Sequence, residues 1–206
     1  MTSRVVIVDV GMGNLHSVTK AVEVAARDLP LEIVRSHEPE VVRSADRVIV
    51  PGQGGFGEIS RRFEGGLSEA ILEKLRAGTP YFGICLGLQI LFEASEEAPG
   101  VAGFGWFRGT VRRLEGAPGI KIPHMGWNQL ELRGAPHACL DSGEWFYFVH
   151  SFHAVAAEPE VVRAVAGYGP NVVTAAVGRD QVLATQFHPE KSQNAGLSLL
   201  TRFLRG

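Results

Sequence analysis

Two short strings carry residue types able to do covalent chemistry. In Gly83-Ile-Cys85-Leu-Gly87, a cysteine stands two residues from a glycine on either side. This G-x-C-x-G pattern is the sulfur counterpart of the nucleophile elbow, in which a strand turns sharply into a helix and lifts the nucleophile clear of the sheet edge. The glycines remove the Cβ atoms that would collide in so tight a turn. A following helix N-terminus favours a thiolate and offers free backbone N–H groups, the first belonging to Leu86. Alone, the pentapeptide also fits a small buried apolar residue, the common fate of a free cysteine. The other cysteine, Cys139, lies in Gly134-Ala-Pro-His-Ala-Cys-Leu140, a loop by composition, and reads as structural.

A cysteine nucleophile needs a base, and seven histidines are available. His188 stands out because it follows an apolar run, Val182–Phe187, in the string Gln186-Phe-His-Pro-Glu190. Glu190 is close enough to orient the imidazole and stabilise its charged form, giving a Cys–His–Glu arrangement. An isolated His-Pro-Glu is equally a loop histidine beside a solvated acid. His150 and His153 are three positions apart, which on one strand turns them to opposite faces and disfavours a metal pair. His16, His37, His124 and His137 read as turn or polar-face residues. No metal and no cofactor is expected.

Pro51-Gly-Gln-Gly-Gly-Phe-Gly57 is the third element, with four glycines in six positions after a strand. Its backbone can approach a ligand closely and either cradle phosphate or donate an oxyanion N–H. It lacks the lysine and Ser/Thr of a P-loop. Gly11-x-Gly13 is weaker, because His16 stands where a dinucleotide fingerprint needs its third glycine.

Together, Pro51-Gly-Gln-Gly, Gly83-Ile-Cys-Leu-Gly-Leu-Gln89 and Gln186-Phe-His-Pro-Glu190 resemble the class I (triad) glutamine amidotransferases, in the family's order and across most of the chain. The resemblance implies a three-layer, flavodoxin-like α/β fold and hydrolysis of L-glutamine to glutamate and ammonia. Cys85 would be the nucleophile, His188 the base and then acid, and Glu190 the orienter. Backbone at Gly52, Gln53 and Leu86 would form the oxyanion hole. Gly54, Gln89, His150, Ser151 and Phe152 would hold the substrate.

Three further strings narrow the resemblance: Asp9-Val-Gly-Met-Gly-Asn-Leu15, Lys121-Ile-Pro-His-Met-Gly-Trp-Asn128 and Phe148-Val-His-Ser-Phe152, with Lys191-Ser192 extending the His-Pro-Glu motif. They are similar to the branch that feeds ammonia to a (βα)8-barrel cyclase subunit in histidine biosynthesis, which implies a heterodimer. Asn14, Met125, Trp127, Asn128, Tyr147 and Lys191 would lie at the shared surface or the ammonia's exit. For Met125 and Trp127, ordinary core packing is the competing reading. Gln53 and Phe152 depart from the branch, which usually carries Val and Tyr there. Glutaminase partners of pyridoxal phosphate synthase or anthranilate synthase are alternatives. The Pro123–Asn128 string argues against both, and Leu88 against the second, where His is expected. A non-catalytic module on the same fold is the more distant alternative.

The elements that must position these residues follow from periodicity. Val5–Val10 reads as a short buried strand, Leu31–Arg35 and Asp46–Val50 as the next strands, the latter stopped at Pro51-Gly52, and Tyr81–Cys85 as a buried strand before the elbow. Leu15, Val18 and Val22 mark a helix, as do Leu67, Ala70, Ile71 and Leu75. Another helix begins at Leu88, Leu91 and Phe92. Alternating strands and helices imply an α/β sheet covered on both faces. Later, Trp106–Leu114, Gly126–Leu132, Trp145–Val155, Val161–Tyr168, Val172–Val177 and Val182–Phe187 read as strands without intervening helices. They suggest antiparallel additions, so the central sheet is mixed, before a last helix bearing Gly196, Leu199, Leu200, Phe203 and Leu204. At 206 residues, one domain spanning 1–206 is expected. With 45% hydrophobic and 20% charged residues, disorder is unfavoured; a net charge of −2 argues against nucleic acid. No apolar run is long enough for a membrane span, and a cytoplasmic protein is expected.

Overall fold

The structure, a computed structural model, describes residues 2–11 and 14–206. Met12 and Gly13, within the expected turn after the first strand, lie outside the described residues. The first half alternates: β1 (Ser3–Val8), α1 (Leu15–Ala25), β2 (Leu31–Ser36), α2 (Pro39–Arg43), β3 (Arg47–Gly52), α3 (Phe56–Arg62), α4 (Leu67–Arg76), β4 (Tyr81–Cys85) and α5 (Leu86–Gln89). Successive strand residues face opposite ways. Val6, Val8, Val48 and Val50 pack toward α2, α3 and α4. Val5, Ile7 and Ile49 pack toward α1 and the terminal helix α6 (Gln193–Arg205). Runs of β-branched residues are therefore buried on both faces, as a parallel sheet requires.

The second half is mainly strands: β5 (Ala94–Ser95), β6 (Gly109–Arg113), β7 (His124–Gln129), β8 (Glu131–Leu132), β9 (Trp145–His150), β10 (Phe152–Ala156), β11 (Val162–Tyr168), β12 (Asn171–Arg179) and β13 (Val182–Thr185). The main sheet has eight strands in the order β2-β1-β3-β4-β13-β12-β11-β8. β13 pairs parallel to β4, whereas β12 and β11 are antiparallel additions. Two smaller sheets, β10-β6-β5 and β7-β9, lie outside it. No helix among the described residues is long and apolar enough to cross a membrane.

Several expectations need correction. β3 does not stop before Pro51: Pro51 and Gly52 stay paired with Ile84 and Cys85. Its pairing with β1 ends at Ile49, so the missing proline N–H costs that ladder nothing. The helix after Cys85 lasts one turn, because the carbonyls of Ile90, Leu91, Phe92 and Glu93 accept from Phe104, Phe107, Gly105 and Gly103. Trp145–Val155 is two strands in two sheets. The chain bends at Ser151, whose carbonyl accepts from Leu114, while the His150 ring bonds the Phe152 carbonyl at 2.9 Å. Neither α2 nor α3 is signalled by apolar periodicity; both are short and framed by Pro or Gly.

Candidate active site

Cys85 closes β4 with φ 55° and ψ −101°, a conformation that L-residues rarely adopt and that costs on the order of 1–3 kcal/mol. The surroundings leave no alternative. A Cβ on Gly87 would overlap the Val50 carbonyl, and one on Gly83 would overlap the carbonyl of Gly87. The Tyr81 hydroxyl donates to that same Gly87 carbonyl at 2.8 Å, tying the start of β4 to the turn at its end. Burial pushes the Tyr81 phenol up, which keeps it a donor.

β13 runs beside β4, with Thr185 opposite Ile84, so the segment leaving β13 emerges next to the elbow. His188 is held there through its backbone. Its N–H donates to the Tyr147 carbonyl at 2.9 Å, and its carbonyl accepts from the Ser192 hydroxyl at 2.6 Å. Ser192 in turn accepts from the Tyr147 N–H. Gly196 lets α6 close on this turn, since any Cβ there would strike the Pro189 carbonyl. The His188 Nδ1 and the Glu190 Oε1 are 2.8 Å apart, both side chains 1% exposed. With Nδ1 engaged by Glu190, Nε2 is the nitrogen left for the Cys85 thiol. Burial lowers the imidazole, but Cys85 and Glu190 outweigh it and push it up to about 9.

Gln186, buried, donates to the Cys85 sulfur at 3.5 Å, and its carbonyl oxygen accepts from Gln89 at 3.1 Å. Gln89 also donates to the Phe152 carbonyl at 3.0 Å. Beside the elbow is a cavity of about 380 Å³, lined by Gln53, Gly54, Cys85, Leu86, Gln89, Glu97, His150, Ser151, Phe152 and Lys191, among others. That volume suits one small amino acid.

Most expected residues thus meet at one cavity. Gly52, His188 and Glu190 do not line it; they border a small crevice on the other side of the elbow, and a Cβ on Gly52 would strike Ile59 and Leu86. The glycine-rich loop is no phosphate cradle, because the Phe56 N–H at the start of α3 already bonds the Glu97 carboxylate at 2.8 Å. Met125 and Trp127 are 61% and 44% exposed, which excludes core packing. Trp127 stacks edge-on against Tyr147, and the Lys191 ammonium lies 5.8 Å from the Tyr147 ring centroid. Asn14 caps α1 and borders a small crevice reaching Gly52, Gln53, His188 and Glu190. Asn128 turns the other way: its amide bonds the Gly167 carbonyl and contacts His124. His124 is a correction, being buried and stacked on Phe148 and Tyr168 rather than on a polar face.

Sequence reasoning missed Glu97, Gln186 and Tyr81. Only Gln186 left a signal, standing two residues before the histidine. Cys139 is buried, and desolvation pushes its thiol up to about 11. Among the described residues, no group of three or more His, Cys, Asp or Glu is placed to hold a metal ion.

Comparison with known proteins identifies the family. A family model, "Glutamine amidotransferase class-I", matches residues 6–205. "Imidazole glycerol phosphate synthase subunit HisH" of Rhodospirillum rubrum is 45% identical over 211 residues, covering 98% of each chain. The protein of that name from Synechococcus elongatus is 44% identical over 207 residues, covering 98% of this chain and 93% of its own. A solved structure described as a glutamine amidotransferase superposes with a TM-score of 0.70 at 22% identity, covering 98% of this chain and 97% of its own.

Proposed function

The chain belongs to the class I glutamine amidotransferases, and from that premise we propose that it is the glutaminase subunit of an imidazole glycerol phosphate synthase. The observation that carries this reading is the meeting of the strained Cys85 elbow with the His188–Glu190 pair at adjacent strand ends, beside a cavity sized for glutamine. The near-full-length likeness to relatives named for that synthase supports the choice of complex.

In the proposed mechanism, residues 1–206 act as one amidotransferase domain. His188, held by Glu190 at Nδ1, takes the Cys85 proton at Nε2. The thiolate attacks the side-chain amide carbon of glutamine. The resulting oxyanion is met by the Leu86 N–H, unpaired at a helix start, and by one from the Gln53–Gly54 loop. The His188 imidazolium gives its proton to the leaving nitrogen, the C–N bond breaks, and ammonia departs from a thioester. His188 then takes a proton from water, hydroxide adds to the thioester carbon, and glutamate leaves as Cys85 is restored. Gln89, His150, Ser151 and Phe152 bound the amino-acid end, and the Glu97 carboxylate supplies a charge complementary to the substrate ammonium.

The partner is a (βα)8-barrel cyclase subunit that combines ammonia with a ribulosyl phosphate, giving imidazole glycerol phosphate and AICAR in the cytoplasm. The exposed Met125 and Trp127 on β7 and the adjoining Tyr147 and Lys191 form the surface it covers. Mixing this chain with the cyclase, its phosphorylated substrate and glutamine, then following glutamate release, tests the proposal. Dependence on all three supports it. High turnover by the chain alone contradicts the coupling to a partner. Failure of a glutamine-like diazo-ketone to label Cys85, free or complexed, contradicts the enzyme reading.

A further inference from the structure

A run of hydrogen bonds behind the cavity wall has only one possible direction. The Phe152 carbonyl can only accept, so the His150 Nδ1, 2.9 Å away, carries the proton. A neutral His150 then has a bare Nε2, and the His124 Nδ1 at 3.0 Å must be its donor. His124 is left with a bare Nε2, which faces the Asn128 amide nitrogen at 3.4 Å. That nitrogen's other hydrogen goes to the Gly167 carbonyl at 2.9 Å, and the Asn128 oxygen accepts from the Gln129 N–H at 2.8 Å. Every donor and acceptor is matched. Burial lowers His124 to about 4 and His150 to about 3, the latter further disfavoured by His124, His153 and His188, so both rings carry one proton at neutral pH.

The chain ends on a carbonyl that matters. Phe152 O accepts from both His150 and Gln89, so both its lone pairs are engaged and the Phe152–His153 peptide, which adjoins the Ser151–Phe152 rim of the cavity, is fixed. Gly167 on β11 anchors the other end. Resting on the glutaminase reading, we infer that His124, oriented by Asn128, is a positioning residue for the amino-acid end of glutamine. It acts through His150 on the Phe152 carbonyl and touches no reacting atom.

Two substitutions separate the hydrogen bond from the packing. His124→Phe keeps a ring between Phe148 and Tyr168 but removes the donor. His124→Asn loses the ring but places an amide N–H where Nδ1 stood. Glutamine KM for the Phe variant, in complex with the cyclase subunit, should rise roughly three- to tenfold with a smaller change in kcat. The Asn variant should stay within about twofold of wild type. The reverse order overturns the inference, because it makes His124 a packing residue. Nitrogen-15 spectra of the full-length wild type, labelled in its imidazoles, should show His124 and His150 both protonated on Nδ1, opposite to the preference of free neutral histidine. An Nε2–H signal from either ring also overturns it. The spectra need no turnover, so a wild type that releases no glutamate sinks the glutaminase reading independently of the tautomers.

Discussion

Two buried histidine centres lie close to the same cavity and differ in charge, one favouring the protonated ring and the other the neutral one. His188 is 1% exposed and pushed up to about 9, while His150 is 6% exposed and lowered to about 3. Burial acts on both in the same direction, penalising the charged ring. The difference is in what each ring faces. His188 lies between a carboxylate and a thiol, each able to carry the opposite charge. His150 faces a carbonyl and a second imidazole, which a neutral ring satisfies completely. One centre is therefore arranged to move a proton and the other to hold one still.

The sharpest way to break that comparison is to exchange the expectations. His188→Asn should lower glutaminase kcat on the order of 10⁴-fold, measured as glutamate release, whereas His150→Asn, which keeps a donor near Phe152, should mainly raise KM. Comparable loss of kcat in both would erase the distinction. Glu190→Gln should cost on the order of 10²–10⁴-fold in kcat and move the His188 titration down from about 9, visible as an acid-shifted alkaline limb in the labelling rate of Cys85.

Stability should show the two centres at opposite ends of the pH scale. For His188 the folded value lies above 6.5, so its contribution is complete below about 6.5 and is lost as pH rises through 9. For His124 and His150 the folded values lie below 6.5. The unfolded chain takes up protons first, so stability declines as pH falls from about 6.5 through about 4 for His124 and about 3 for His150. Thermal melts across this range should lose the alkaline arm in His188→Asn and flatten on the acid side in His124→Phe. The smallest expected effect concerns the cysteines. Neutral-pH alkylation should modify one thiol per chain, and Cys139→Ser should leave that count unchanged, because burial holds Cys139 as the thiol.

What could be read from the residues divides along the same line. Cys85, His188 and Glu190 leave local signals, a tight turn between glycines and a proline-fixed pair, although each alone also fits a structural role and only their combination points to chemistry. β1 and β3 are legible because short β-branched runs, buried in both strands, end at turn residues. His124 was misread, since a buried neutral histidine differs from an exposed one only through tertiary partners from β9 and β11. Glu97 was invisible for a similar reason: its role depends on α3 beginning at Phe56, 41 residues away in sequence. The break at Ser151 also escaped notice, because an apolar run does not show which of two sheets each half will join.

The pairing of β4 with β13 has a kinetic consequence. Gln186 and Cys85, in contact across that pairing, are separated by 101 positions. Joining them requires closing a long loop, whose entropic cost precedes the contacts that compensate it, so the two strands meet late in folding. Until then the thiol has no imidazole beside it. A chain still emerging from the ribosome, or one cut short before His188, carries the elbow without its base. Such a chain cannot hydrolyse glutamine, so competence arrives only once His188 has joined the elbow.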